Sequence, residues 1–281
     1  MYMEYTKIEK LINIESDQEL LQFAKKYHWK GDGTKENPIR IAKYAIKFQS
    51  DLQYSGYFIV MLNTTLYVVI EDCVAINAQI YLSNCQHIFI LNNYLHYAAF
   101  PAIVLSDCKH CVIMNNIIIS SKCIDISVNS ENHRIINNIC MVLPIRDSDT
   151  GILCWYTLNH NIMANNYILL QLTKPKIFRG IHLTTNIPQQ LGNAIMNNVI
   201  VSTTPSLEIQ QEELFVYGIE TGDFNAILNN KIINVPYAFK FEDTADIIGY
   251  NIIYPLQADI SMEEHKPKPA FRYIYNINAN L

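Results

Sequence analysis

An aliphatic stretch broken by asparagine recurs seven times: Leu91-Asn92-Asn93, Met114-Asn115-Asn116, Ile136-Asn137-Asn138, Ala164-Asn165-Asn166, Met196-Asn197-Asn198, Leu228-Asn229-Asn230 and the variant Gly249-Tyr250-Asn251. Between second asparagines the steps are 23, 22, 28, 32, 32 and 21 residues. A fixed motif recurring at such periods is the mark of a solenoid, in which each unit buries its apolar side only against its neighbours.

Between the asparagines run strands of four to six residues rich in Ile, Val, Leu and Tyr, and the sequence there carries no helical pattern. Aligning on the asparagines brings Ile80-Tyr81-Leu82, Ile103-Val104-Leu105, Ile124-Asp125-Ile126, Ile152-Leu153-Cys154, Ile181-His182-Leu183, Ile219-Glu220-Thr221 and Phe239-Lys240-Phe241 into register. The outer pair of each triplet points into a core and the middle residue points outward. A third strand follows each asparagine, as in Ile117-Ile118-Ile119. Stacked in parallel, such repeats form a solenoid of eight or nine coils and, at ~4.8 Å per coil, a rod of roughly 40 Å. Extrapolation upstream places Asp72 and Lys43 at the asparagine position.

The repeat occupies residues 41–260. Ahead of it, residues 1–40 contain a capping helix, Ser16 to Tyr27, which begins on a serine cap, carries acids in its first turn and lysines near its end, and stops at Gly31-Asp32-Gly33-Thr34. The tail, residues 261–281, leaves the pattern and is expected to cover the last coil. Insertions fall near 143–150, 171–179, 185–191 and 203–214.

The pattern (Gly/Ala)-Ile-x-Leu, a polar turn, then Ile-x-Asn-Asn-x-Ile resembles the right-handed parallel β-helix repeats of the pectin-lyase-like superfamily. The segment Gly31-Asp32-Gly33-Thr34-Lys35-Glu36-Asn37-Pro38-Ile39 is similar to the first-coil entry of β-helix proteins of the periplasmic copper-maturation type. The resemblance, over roughly residues 15–255, implies an all-β right-handed parallel β-helix. It leaves the activity open, because that fold hosts lyases, hydrolases, epimerases and proteins without a reaction.

The asparagines themselves, Asn93, Asn116, Asn138, Asn166, Asn198, Asn230 and Asn251, read as a structural ladder. An amide at a sharp bend both donates and accepts, so it can satisfy buried backbone groups coil after coil. If the chain carries a reaction, its candidates are instead the outward column Asp125, His182, Glu220 and Lys240. In enzymes of the superfamily this is the reactive face, and Trp155, Tyr156, Arg179 and Glu242 would bind substrate beside it. These groups would serve general acid/base catalysis on a sugar chain. The hydrolase motifs of the superfamily are missing, however: there is no Asp-Asp pair, and Gly180-Ile181-His182-Leu183 matches Gly-His-Gly only loosely. A calcium-dependent lyase would need more clustered acids.

His87, His110 and His160 stand five residues before the first asparagine of their repeats, and His133 stands four before. One turn on successive coils could so present a zinc or copper site, with Cys108-Lys109-His110-Cys111 as its tightest grouping. No other cofactor is indicated.

The net charge of −5 and the lack of a basic run argue against nucleic acid. The N-terminus lacks an uninterrupted apolar core and no later window suits a membrane span, so neither a signal peptide nor a membrane anchor is expected. Seven cysteines in such a chain read as reduced, buried small hydrophobes. The leading functional expectation is a non-catalytic scaffold that binds glycan or protein through a lateral groove, such as an adhesin, virion or assembly component. The alternatives are a polysaccharide hydrolase or lyase and a metal-binding protein; self-association is compatible with all three.

Overall fold

The computed structural model describes residues 4–8, 10–48, 56–145, 148–155, 160–171, 177–184, 192–203, 215–222, 225–241, 247–254 and 275–278. They form a parallel β-helix: every pairing between named strands is parallel, and each strand pairs with its counterpart one coil away.

Three stacks of strands make up the wall. The first runs from Ile12–Ile14 through Gly56–Leu62 and Ala78–Ser83 to Ser148–Trp155, Ile177–Thr184, Phe215–Thr221 and Tyr237–Phe241. The second runs from Ile39–Ala42 to Ala226–Leu228 and on into Ile247–Tyr254, and the third from Tyr44–Lys47 through Ile139–Val142 and Tyr167–Leu170 to Lys231–Ile233. We call these the first, second and third faces.

Strand alternation sends Ile80, Ile103, Ile124, Ile152, Ile181 and Ile219 inward, all with no exposure, into one continuous core along the axis. The seven cysteines are free and buried in it. Burial pushes the Cys73 thiol up to about 12, which keeps it a protonated apolar filler.

The turn between the second and third faces explains the repeat. The first asparagine of each pair holds a left-handed backbone, with φ of 55° at Asn92, 59° at Asn115, 57° at Asn137 and 56° at both Asn165 and Asn197. Asparagine tolerates that conformation because its short amide bonds locally. The second asparagine turns inward. Asn116 Oδ1 accepts from Asn93 N at 2.9 Å and from Asn93 Nδ2 at 3.0 Å, while Asn116 Nδ2 reaches Ile90 O at 2.9 Å. The same bonds recur down to Asn251, so each amide satisfies the backbone of the preceding coils.

Two expectations shift. Asp72 (φ 53°) and Lys43 (φ 60°) occupy the outer, left-handed position rather than the inward one. The inward position belongs to Cys73, whose amide donates to Asn93 Oδ1 at 2.9 Å. Pairing on the asparagine period alone cannot separate two adjacent positions when neither is asparagine. In addition, the N-terminal segment is already part of the solenoid, because Thr6–Lys7 pairs with Tyr44–Ala45 and Ile12–Ile14 pairs with Ile59–Met61.

The helix, Asp17–Lys26, is capped by Ser16 Oγ, which accepts from Glu19 N at 3.2 Å. It buries Leu20 and Ala24, and Asp17 ties it to the second coil by accepting from Thr65 N at 2.8 Å and Thr65 Oγ1 at 2.6 Å. Most of the tail lies outside the described residues. Its described part, Tyr275–Asn278, adds a parallel strand beside Gly249–Ile253 and sets Asn276 opposite Asn251.

Candidate functional site

The long insertions border one face. Residues 171–176 and 203–214 lead into strands of the first face, and 185–191 lead away from one, whereas the second and third faces are joined by short turns, at Lys43 and Asp72-Cys73 in the first coils and at the asparagine pairs beyond. Longer connections between strands adjoin the first face at 48–55 and 143–147 as well as in its C-terminal half.

A column of small residues shapes the strands there. Gly151, Gly180 and Gly218 stack beneath Cys123 and above Ala238, in positions where a Cβ on Gly180 would lie 2.5 Å from Gly218 O and 2.7 Å from Ile200 Cγ2. The close approach leaves Phe178, Gly180 and Ile181 buried, with Arg179 and His182 outward on either side of the bend. Two outward columns result: Lys122, Thr150, Arg179, Tyr217 and Tyr237, and three residues on, Asp125, Leu153, His182, Glu220 and Lys240.

The register therefore brings His182, Glu220 and Lys240 side by side, as the alignment expects. Arg179 joins them. Glu220 is the hub: Lys240 Nζ donates to Oε1 at 2.6 Å, the Arg179 guanidinium donates through Nε to Oε2, and His182 Nε2 stands 3.7 Å from Oε2. Arg179 also donates to Ser148 Oγ at 2.8 Å, and Lys240 lies 5.2 Å above the Tyr217 ring, itself 5.4 Å from Tyr237. The Glu220 side chain is only 1% exposed. Burial works to raise its pKa, but the bonds from Lys240 and Arg179 prevail and hold the carboxyl below its ordinary range. Burial lowers the His182 imidazole to about 4 against the pull of Glu220, so it is neutral at physiological pH.

Asp125 stands apart, opposite Leu153, and two rungs from His182. Its Oδ2 meets Lys122 Nζ at 3.3 Å, while its Oδ1 is buried without a partner. Burial raises its pKa, with Lys122 acting in the opposite sense. Trp155 is 46% exposed, one column further along, between Ser127 and Thr184. Tyr156 and Glu242 lie outside the described residues.

Lys122, Ser148, Tyr217 and Tyr237 are not singled out by the alignment. Their signal is plain once the small-residue column is seen, because Lys122, Tyr217 and Tyr237 each immediately precede its members.

The histidine turn is arranged differently from a chelating site. His87, His110 and His160 all hold left-handed backbone angles, at φ 58°, 54° and 67°. The His87 ring stacks on Tyr67 at 4.3 Å and on His110 at 5.4 Å, nearly parallel to both, while Asn132 takes the equivalent place in the coil before His160. Parallel rings spaced by a rung do not converge on one ion. Among the described residues no three His, Cys, Asp or Glu side chains come together in a way that could hold a metal. His133 differs from its neighbours in pointing inward. It is fully buried, its Nδ1 accepts from Cys111 N at 3.2 Å, its Nε2 has no partner, and burial lowers it to about 4. In the following coils Asn161, Asn193 and Asn225 form a second amide ladder at this position.

No known protein family matches the chain, and no curated protein does. Among solved structures it is similar to a variant of DFA-IIIase from Arthrobacter chlorophenolicus A6 in complex with DFA-III, at 9% identity and a TM-score of 0.37. That match covers 79% of this chain and 60% of the other, so the chain spans less than two thirds of that protein's length. The same enzyme in complex with GF2 matches at 10% identity and a TM-score of 0.30, over 88% of this chain and 81% of the other. Among the described residues no helix is long and apolar enough to cross a membrane.

Proposed function

We propose that the protein is a non-catalytic β-helix scaffold that binds a glycan along its first face, in the stretch bordered by the insertions. The observation that carries this reading is the state of Glu220. A buried carboxylate held ionised by two cations is a poor proton donor, and its oxygens are already occupied, so it is a poor nucleophile too. Asp125 lies three rungs away, ~14 Å at the ordinary strand spacing. Glycoside hydrolysis pairs carboxyl groups about 5 to 9.5 Å apart. What the face does offer is an exposed indole at Trp155 and the Tyr217 and Tyr237 rings beside charged hydrogen-bonding groups, the composition that suits sugar stacking.

The test is retention of a panel of neutral and acidic polysaccharides on immobilised protein, read beside chain length after long incubation. Binding without shortening, and loss of binding in Trp155→Ala, are expected. Failure to retain any polysaccharide, or shortening of one, would overturn the reading.

The unpartnered Oδ1 of Asp125 and its raised pKa favour a second reading, a hydrolase or lyase in which Asp125 donates the proton. The second carboxylate would then have to come from outside the described residues, within about 5 to 9.5 Å of Asp125. Cleavage abolished by Asp125→Asn but retained in Glu220→Gln would establish it.

A further inference from the structure

Between its end lysines the third face carries no ion pair among the described residues, no insertion within its strands, and His96 as its one outward charged or ionisable side chain other than tyrosine. Its outward column Tyr94, Ile117, Ile139, Tyr167 and Val199 stacks in register over five coils. Ile117 is 43% exposed, Ile139 46% and Tyr167 41%, and because they adjoin on successive coils they form a contiguous apolar patch rather than scattered single residues. The parallel column two residues on, from Ile119 to Val201, is apolar in each of its four coils and half-buried. Lysines stand only at the ends of the face among the described residues, at Lys7, Lys47 and Lys231. The second face is apolar as well, but Arg134 interrupts it and small residues, Ala164, Ala194 and Ala226, flatten it.

We infer that the third face is the contact between two copies of this chain, packed sheet against sheet with their long axes aligned. Two properties select a second copy. The first is period: branched side chains repeat at every rung, ~4.8 Å apart, and only a surface with the same spacing interdigitates along the whole length. A second copy has that spacing by construction, and a self-complementary patch closes into a symmetric pair. The second is extent. Eight strands of about four residues, from Tyr44–Lys47 to Lys231–Ile233, span seven inter-strand spacings and give a footprint of about 34 by 13 Å. Counted on both copies and with the relief of the side chains added, this reaches the ~1,000 Å² that separates stable contacts from incidental ones. With no acid, lysine or arginine between the terminal lysines, close approach desolvates no permanent ion there, and His96, toward the N-terminal end, is the one imidazole it meets.

Light scattering on the full chain across a concentration series should give twice the chain mass, and Ile139→Lys should give the monomer with an unchanged circular-dichroism spectrum and thermal midpoint. Because Ile139 is nearly half exposed, the lysine is accommodated in the monomer. The seven native thiols are buried, so Ile139→Cys can be labelled selectively with a nitroxide; dipolar broadening between the labels is expected, and it reads out the contact even where Ile139→Lys fails to fold. A wild-type monomer at every concentration, an unchanged mass in Ile139→Lys, or labels that show no coupling would each overturn the inference. A monomeric Ile139→Cys variant that resists labelling would do so too, by showing that the chain covers the face itself.

Discussion

Lys240 Nζ sits 2.6 Å from Glu220 Oε1, one coil away, while Arg179 from the coil on the other side holds the opposite oxygen. Cation, anion and cation thus occupy three successive coils. Arg179 and Lys240 come from columns three residues apart and both converge on one buried carboxylate, which turns the mutual repulsion of two nearby cations into two attractions.

Neutralising that carboxylate should therefore cost more than removing either cation. Glu220→Gln leaves Arg179 and Lys240 facing each other across a buried amide, and a loss of about 2 kcal/mol is expected. Lys240→Met should cost less than about 1 kcal/mol, since the lysine is a third exposed and its pairing is screened. Denaturant titrations of the two variants would check the order; equal losses would mean that Glu220 is not the hub.

The ladder asparagines, the inward triplets and the register of His182, Glu220 and Lys240 are legible because a solenoid turns sequence period directly into spatial adjacency. Three things are not. Asp72 and Lys43 fall one residue off, because without an asparagine the outer and inward turn positions look alike. His133 groups with His87 and His110 in the alignment, although a one-residue shift sends a side chain from the outside of the turn to its inside. The tie between Arg179 and Glu220 depends on the bend at Gly180, and a three-residue step within a strand does not normally keep two side chains on the same surface.

Acid should weaken the fold well before the carboxylates titrate. His133 and His182 are held near 4 by burial, whereas in the unfolded chain they take up protons near pH 6.5. Between pH 6.5 and 4 the histidines bind more protons in the unfolded state than in the native one, so their contribution to stability falls as pH is lowered through that window and levels off below it. Each histidine contributes on the order of 3 kcal/mol to the fall. Below pH 4.5 the loss continues as Glu220, whose pKa is depressed, is protonated. His133→Asn should remove about half of the histidine slope and keep the bond to Cys111 N, since Asn161 makes the equivalent bond to His133 N at 3.0 Å. Denaturation midpoints measured from pH 7.5 to 4 would show it.

Adjacent asparagines should respond oppositely to substitution. Asn138 accepts from Asn116 N and Asn116 Nδ2, both at 3.0 Å, and donates to Ile113 O at 2.9 Å and Asn166 Oδ1 at 3.0 Å. Asn138→Ala strands buried partners on both sides and should cost about 3 to 5 kcal/mol. Asn137 is exposed with φ of 57°, where glycine is at ease, so Asn137→Gly should change stability by less than about 1 kcal/mol. Thermal melts of the pair would decide whether the inward amides or the turn conformation holds the coil together.

Gly180→Ala tests the bend on which the candidate site depends. The added Cβ would lie 2.5 Å from Gly218 O and 2.7 Å from Ile200 Cγ2, one a backbone atom and the other a core methyl, so the strand itself must move. Overpacking of this kind costs about 1 to 3 kcal/mol. Displacement of the strand also separates Arg179 from Glu220, so the cost should exceed that of Gly249→Ala, where the nearest atom is Leu228 Cδ2 at 3.4 Å. If the charge cluster depends on the bend, adding Glu220→Gln to Gly180→Ala should cost less than Glu220→Gln alone, because the cluster is already loosened. Additive losses would show that the small-residue column and the charge cluster are independent features of the face.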